Sequence, residues 1–209
     1  MISKRIHFVS FGDENGNHIP SIKKVLDAGI DLIQLRIKNK SDDWCRSQAV
    51  EAKDLCEKYG AQLILNDRVD LARELKISAV HLGQDDMPIL EAKKFLGINC
   101  IVGGTANTLD QMRLLSSQGV DYIGLGPYRF TDTKENLSPI LGHQGIEEQL
   151  NAFYSDGNTT PIFIIGGIGE NDFSRIAGLQ IAGIAVSSLF SEKSTQEIKE
   201  IKQNFENGI

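Results

Sequence analysis

Two carboxylates are prominent among the residues that could do chemistry. Asp67 and Asp86 each follow a short run of apolar residues, and they lie 19 positions apart. A small number of carboxylate oxygens suits Mg²⁺, which keeps several waters and takes further ligands from substrate phosphates. The same two residues could instead cap helices that begin near Arg68 and near Pro88. The residue types alone leave both interpretations open.

Cationic and hydroxyl side chains follow other apolar runs. Arginine and lysine suit phosphate oxygens, and threonine hydroxyls can donate hydrogen bonds to the same oxygens. The candidates are Arg36, Lys38, Lys134, Thr105, Thr131 and Thr133. Each one alone is more typical of a solvated surface. Together, in a chain whose net charge is −6, they predict a cationic pocket for a ligand that carries several phosphates.

Glycine-rich turns suggest a second anion site. The segment Gly166-Gly167-Ile168-Gly169 follows one apolar run, and Ser187-Ser188 ends the next. Backbone N–H groups in such turns can bind phosphate. A tight turn that needs positive φ is the alternative interpretation of the glycine pair.

The four histidines do not indicate a catalytic dyad or a zinc site. His81 lies at the end of an apolar run, which favours a buried, hydrogen-bonded role over a catalytic one. His7, His18 and His143 have no recognisable partners in the sequence. The chain also lacks a Gly-x-Ser-x-Gly motif, a P-loop and a Cys/His pair.

Eight short β-branched runs must position these residues. They are Ile6–Phe11, Asp31–Ile37, Gln62–Leu65, Ala79–Leu82, Asn99–Val102, Asp121–Leu125, Pro161–Ile165 and Gly183–Ser187. Several are almost continuously apolar, which is typical of strands buried on both faces of a parallel sheet. Helix-length amphipathic segments separate them, and strict alternation indicates an α/β fold. Eight units in 209 residues favour one (β/α)₈ TIM barrel over residues 1–209, with an open doubly wound sheet as the alternative.

Capping residues indicate where several predicted helices begin or end. The pattern predicts helices over Ser41–Tyr59, Pro88–Leu96 and Thr108–Ser117, each followed closely by a glycine. Cys45 and Cys56 are about three turns apart and could share the buried face of the first of these helices. The polar stretch Tyr128–Gly145 predicts a mobile active-site loop after the sixth strand.

Composition excludes several classes of protein. An acidic chain with a pI of about 5.3 is not typical of nucleic-acid binding. No apolar run is long enough to span a membrane or to form a signal peptide. Three cysteines without metal spacing predict reduced thiols in a cytoplasmic protein. The oligomeric state is not predicted, and a homodimer is compatible with the sequence.

The residues at the predicted strand ends, taken in order, resemble the thiamine-phosphate synthase family, whose enzymes join the two halves of thiamine. The matching segments are Gln34–Lys38, Leu65–Asp70, His81–Asp86, Gly124–Pro127, Thr131–Lys134, Gly166–Ile168 and Gly183–Ser188. They extend over roughly residues 30 to 190. No single segment is decisive, but the ordered set is specific.

The resemblance implies a Mg²⁺-dependent transfer. The substrates would be hydroxymethylpyrimidine diphosphate and a thiazole phosphate, and the products thiamine phosphate and diphosphate. It assigns one Mg²⁺ to Asp67 and Asp86, and leaving-group neutralisation to Arg36 and Lys134. The implied pyrimidine diphosphate site is Gln34, Leu35, Arg36, Ile37, Lys38, Asn66, Thr105 and Lys134. The implied thiazole phosphate site is Thr131, Asp132, Thr133, Gly167, Ser187 and Ser188.

The chain departs from the family pattern at a few positions. Ile37 stands where an acidic residue is usual, Asp132 replaces a proline, and Arg129-Phe130 lacks the usual proline. Asp132 would repel a phosphate unless it points away or pairs with Arg129. Two other functions remain as alternatives: a thiazole tautomerase that shares the barrel, and a non-catalytic barrel that binds thiazole or thiamine phosphate. The presence of Asp67, Asp86 and Lys134 favours the synthase over both.

Overall fold

The eight apolar runs form eight parallel strands that close into a barrel. A computed structural model describes residues 6–130 and 139–208. The strands are β1 (Ile6–Val9), β2 (Leu32–Leu35), β3 (Gln62–Asn66), β4 (Ala79–Leu82), β5 (Ile101–Ala106), β6 (Tyr122–Leu125), β7 (Ile162–Ile165) and β8 (Gly183–Val186). Each strand pairs with its sequence neighbours, and β8 pairs with β1. This closure confirms the TIM barrel and excludes the open sheet.

Eight helices within the described ranges cover the outside of the barrel. They are α1 (Ile19–Asp27), α2 (Asp42–Tyr59), α3 (Val69–Glu74), α4 (Ile89–Leu96), α5 (Leu109–Ser117), α6 (Gly142–Ser155), α7 (Phe173–Ile176) and α8 (Thr195–Gly208). The main core lies between these helices and the strands, and a smaller cluster fills the barrel interior. No helix among the described residues is long and apolar enough to cross a membrane.

The predicted N-cap of α2 is confirmed, and α5 has a side-chain cap of the same kind. The side chains of Ser41 and Thr108 each accept a backbone hydrogen bond in the first turn of their helix. Gly60 ends α2 in the left-handed conformation, with a φ of 65°. Cys45 and Cys56 are both buried free thiols on the inner face of α2.

Element boundaries differ from the prediction in several places, of which three change the description of an element. Pro88 is the N-cap of α4 rather than its first helical residue. Strand β5 continues through Gly103-Gly104-Thr105 to Ala106, beyond the end of the predicted run Asn99–Val102. Helix α6 begins at Gly142, so the last four residues of the predicted loop Tyr128–Gly145 are helical. Residues 131–138 of that loop lie outside the described residues.

Candidate active site

A cavity of about 660 Å³ opens where the carboxyl ends of the strands meet, the usual position of active sites in this fold. Its size is typical of a small-molecule site. The predicted site residues that line it are Gln34, Arg36, Lys38, Asn66, Asp67, Asp86, Thr105, Gly167, Ser187 and Ser188. Barrel closure therefore brings together side chains that are up to 154 positions apart in the sequence. The predicted residues Thr131, Asp132, Thr133 and Lys134 lie outside the described residues.

The segment after β2 shows how strand alternation selects the lining residues. Gln34, Arg36 and Lys38 face the cavity at every second position. Leu35 faces the opposite way and is buried in the main core, and Ile37 packs against that core. Neither of these two side chains lines the cavity, so only the backbone groups of Leu35 and Ile37 could contact a substrate.

Asp67 and Asp86 meet at the cavity wall. The Asp67 carboxylate pairs with the Lys38 ammonium group, and Asp86 Oδ2 accepts a hydrogen bond from the Gly83 N–H at 2.6 Å. Burial raises the pKa of Asp86, and a hydrogen bond with Asp67 raises it further. Such a shift is expected where two carboxylates approach each other in a half-buried site. A cation between them would relieve this repulsion.

Helix capping does not explain these two carboxylates. The N-cap residues of α3 and α4 are Arg68 and Pro88, and neither cap has a side-chain hydrogen bond. Asp67 instead has a φ of 65°, an uncommon conformation for a residue other than glycine. Strain of this kind tends to occur at functional sites.

The two carboxylates suit Mg²⁺, which takes only some of its ligands from the protein, better than a metal that is bound by protein side chains alone. The described ranges contain no group of three or more His, Cys, Asp or Glu side chains that could hold a metal. Two carboxylates supply hard oxygen ligands and leave room for water and phosphate oxygens, as Mg²⁺ requires. Asp67 and Asp86 are therefore the residues that could hold it.

The glycine-rich turn after β7 combines positive φ with a place at the cavity. Gly166 and Gly167 have φ values of 102° and 64°, so the turn does need positive φ. A Cβ at Gly167 would lie 2.7 Å from the Phe130 carbonyl oxygen, which shows that the turn packs closely on the loop after β6. Gly167 also lines the cavity together with Ser187 and Ser188.

Two residues that line the cavity were not predicted as site residues: Ser10, which follows β1, and His18, which caps α1. The Ser10 hydroxyl lies 2.8 Å from His18 Nδ1 and accepts a hydrogen bond from the Arg36 N–H at 3.1 Å. Burial lowers the pKa of His18 to about 4, so its ring is neutral and Nδ1 can accept a hydrogen bond from the Ser10 hydroxyl. The pair fixes the backbone at Arg36. The signal was available, because Ser10 follows the first predicted strand.

His81 has the predicted buried, hydrogen-bonded role. It is only 9% exposed, and its two ring nitrogens each lie 2.9 Å from a hydroxyl, that of Tyr122 at Nδ1 and that of Thr105 at Nε2. It also lines the cavity. His7, which has no recognisable partner in the sequence, has one in the barrel, because His7 Nε2 lies 3.3 Å from the side-chain nitrogen of Gln34.

Comparison with known proteins identifies the family. A family model described as thiamine monophosphate synthase matches residues 6–190, which is most of the chain. The chain belongs to this family.

Individual members of the family match over nearly their whole length. A thiamine-phosphate synthase from Flavobacterium johnsoniae is 41% identical over 194 residues, which cover 93% of this chain and 92% of that protein. One from Bacteroides fragilis is 42% identical over 182 residues, or 87% and 89% of the two chains. The structure of thiamine phosphate pyrophosphorylase from Pyrococcus furiosus superposes with a TM-score of 0.84 at 25% identity and covers 99% of this chain and 98% of that one.

Membership in this family confirms the resemblance drawn from the strand-end motifs. It also confirms the predicted enzyme class, a transferase.

Proposed function

We propose that this chain is a Mg²⁺-dependent thiamine-phosphate synthase that transfers the hydroxymethylpyrimidine group from its diphosphate to a thiazole phosphate. The observation that carries the proposal is the convergence of Asp67, Asp86, Arg36 and Lys38 on one wall of a cavity whose lining also includes Gly167, Ser187 and Ser188. A metal and two anionic ligands could then occupy one cavity. The match to the family supports the same assignment.

The cationic wall would bind the diphosphate. Arg36 and Lys38 both face the cavity, and their charges suit the several oxygens of a diphosphate. Mg²⁺ held by Asp67 and Asp86 would supply further positive charge to the departing group. Lys38 now pairs with Asp67 and would be released toward the diphosphate when that carboxylate turns to a metal. Lys134 is proposed to assist, on the strength of the family resemblance.

The proposed reaction needs charge stabilisation rather than proton removal. The bond between the pyrimidine methylene carbon and the diphosphate oxygen breaks, and its electron pair leaves with the diphosphate. The lone pair of the thiazole nitrogen then forms the new carbon–nitrogen bond and leaves the nitrogen positively charged. No proton is lost at that nitrogen, so no general base is required. Preorganised positive charge at the leaving group is the main catalytic demand.

The other side of the cavity would hold the thiazole phosphate. Gly167, Ser187 and Ser188 offer backbone N–H groups and hydroxyls at the ends of β7 and β8, a common place for phosphate in this fold. Thr131, Asp132 and Thr133 complete the proposed site. A cytoplasmic location is proposed as well, supported by three cysteines that are all free thiols.

Diphosphate release by the purified protein tests this proposal. Release is expected only when both substrates and Mg²⁺ are present, and omission of any one should abolish it. No release from the complete mixture would overturn the proposal. Conversion of the thiazole substrate without the pyrimidine would favour the tautomerase, and binding without any conversion would favour a non-catalytic barrel.

A further inference from the structure

The loop after β6 is attached to the turn after β7 by backbone hydrogen bonds. The Tyr128 N–H donates to the Ile165 carbonyl oxygen at 2.9 Å, and the Arg129 N–H donates to the Gly166 carbonyl oxygen at 2.8 Å. These bonds continue the pairing of β6 with β7 beyond the ends of the two strands. The first residues of the loop and the first residues of the glycine-rich turn therefore lie side by side.

The side chain of Arg129 makes a second connection, to the far side of the same turn. Its two NH2 groups donate to the two carboxylate oxygens of Asp172, at 2.7 and 2.5 Å. Asp172 is fully buried and also accepts a hydrogen bond from the Gly169 N–H at 2.9 Å. A bidentate pair of this kind fixes direction as well as distance. Arg129 is thus bound to the turn on both sides, at Gly166 through its backbone and at Asp172 through its side chain.

Gly167 lies between these two connections and has little room to move. A Cβ on this residue would lie 2.7 Å from the Phe130 carbonyl oxygen and 2.9 Å from Arg129 Cβ. Its φ of 64° is one that glycine adopts without strain but does not by itself prefer. Contacts with the loop after β6 therefore determine how this backbone faces the cavity.

The Gly167 backbone is available to a ligand. Gly167 lines the cavity, and among the described residues no hydrogen bond begins at its N–H. Arg129, in contrast, is not among the described residues that line the cavity, and both of its NH2 groups are directed to Asp172. An effect of Arg129 on a ligand would therefore act through the position of Gly167 rather than through direct contact.

We infer that Arg129 is a positioning residue, whose ion pair with Asp172 holds the Gly166-Gly167 turn in the conformation that binds the thiazole phosphate. This inference rests on the proposed function, in which Gly167 belongs to the thiazole phosphate site. A turn that is fixed before the ligand arrives lowers the entropic cost of binding. The proposed pyrimidine diphosphate site lies on other strands, so the ion pair should affect one substrate and not the other.

A double variant removes this ion pair without leaving a charge buried and unpaired. In Arg129→Leu/Asp172→Asn both charges are lost, and the asparagine side-chain oxygen can still accept from the Gly169 N–H. The matched control is Arg113→Leu/Asp156→Asn. It removes a pair of the same type, with a distance of 2.7 Å, at a site where both side chains are well exposed.

The first measurement is amide hydrogen exchange in the ligand-free protein, followed by NMR, and it does not depend on activity. The Tyr128 N–H, which bonds to Ile165, should exchange about tenfold faster in the Arg129 double variant than in the wild type. The control variant should exchange at the wild-type rate. An unchanged rate in the Arg129 double variant would overturn the inference whether or not the protein proves to be a synthase.

The second measurement compares the KM values of the two substrates. The Arg129 double variant should raise KM for the thiazole phosphate about tenfold, as expected for one hydrogen bond, and leave KM for the pyrimidine diphosphate unchanged. Equal changes in both KM values, or no change in either, would show that the ion pair is only structural. A wild-type protein that releases no diphosphate would overturn the proposed function, and the exchange measurement would still decide whether the ion pair fixes the turn.

Discussion

Asp67 combines an unusual backbone conformation with a charged partner at the proposed metal position. Its φ of 65° is held by backbone hydrogen bonds, from its own N–H to His81 and from Val69 to its carbonyl oxygen. Its carboxylate pairs with Lys38 and meets Asp86. A conformation that costs energy and places a carboxylate against another carboxylate fits a ligand site better than a structural turn.

Asp67→Asn tests this role without disturbing the backbone. Asparagine tolerates positive φ about as well as aspartate, so the fold should survive the change. Loss of the charge should lower turnover by about a hundredfold or more and raise the Mg²⁺ concentration needed for half-maximal rate. A Mg²⁺ titration of initial rates measures both effects.

The matched control for this variant is Asp70→Asn. Asp70 is an exposed residue in the first turn of α3 and does not line the cavity. This change removes one negative charge nearby and should leave the Mg²⁺ dependence as it is in the wild type. Near-wild-type behaviour of both variants would contradict the metal role of Asp67.

Two buried histidines make stability depend on pH. Burial lowers the pKa of His18 to about 4 and that of His7 to about 3, whereas the unfolded chain titrates near 6.5. Below pH 6.5 the unfolded state therefore binds protons that the native state does not. The free energy of unfolding falls as the pH decreases toward the pKa values of the two histidines in the folded protein. At pH 5 the loss should reach about 2 kcal/mol for each histidine.

His18→Gln isolates one of these contributions. The free energy of unfolding, measured by urea titration at pH 7 and at pH 5 without Mg²⁺, should fall by about 2 kcal/mol less in this variant than in the wild type. Subtracting one protein's pH dependence from the other's removes the contributions of the other titrating groups, because these are the same in both proteins. An identical pH dependence in both proteins would show that His18 is not held neutral in the native state.

At the scale of elements, the strand that was predicted least well is β5. Its predicted run ended at Val102 because Gly103-Gly104 interrupts the apolar pattern, and glycine weakens an isolated strand. In the barrel, β4 and β6 supply hydrogen-bonding partners on both sides, and the residues continue in register to Ala106. The glycines are needed because the side chains of Tyr122 and Leu115 occupy the space beside them.

The ion pair between Arg129 and Asp172 joins the loop after β6 to the turn after β7. Both guanidinium NH2 groups donate to the carboxylate, at 2.7 and 2.5 Å, and the Gly169 N–H also donates to it at 2.9 Å. Asp172 is fully buried, and Arg129 is about half exposed. Asp132, which the sequence offers as a possible partner of Arg129, lies outside the described residues, and the structure pairs Arg129 with Asp172.

Arg129→Leu should destabilise the protein by about 3 kcal/mol, because it leaves a buried carboxylate without its counter-ion. Arg113→Leu is the control, since Arg113 pairs with Asp156 at 2.7 Å where both side chains are well exposed. Such a surface pair contributes less than about 1 kcal/mol. Urea denaturation of both variants at pH 7 measures the difference. Equal losses would mean that the Arg129 pair behaves as an ordinary surface contact.

At the scale of the whole molecule, sequence patterns predicted the barrel and most of its strand ends. Every predicted run overlaps an observed strand, because strands buried on both faces leave a continuous apolar signal. Because the strands close into a barrel, the polar residues that follow these runs lie around one cavity. Gln34, Asp67 and Ser187 could be placed there from their positions alone.

Contacts through the barrel interior could not be predicted in the same way. Tyr122 belongs to an apolar run and looks like an ordinary core residue, and His7 has no recognisable partner in the sequence. The partners of these two residues, His81 and Gln34, come from other strands whose register and tilt only the closed barrel defines. These hydrogen bonds depend on where each side chain points in the closed barrel, which the residue type alone does not reveal.

The central claim is that one cavity joins two phosphorylated substrates and releases diphosphate. ³¹P NMR of a single reaction with both substrates and Mg²⁺ tests it most directly, because every phosphorus atom is observed at once. The pyrimidine diphosphate signals should disappear while free diphosphate and thiamine phosphate appear in equal amounts, and a chelator should stop the conversion. Diphosphate or monophosphate that accumulates without thiamine phosphate, or a spectrum that does not change, would contradict the account.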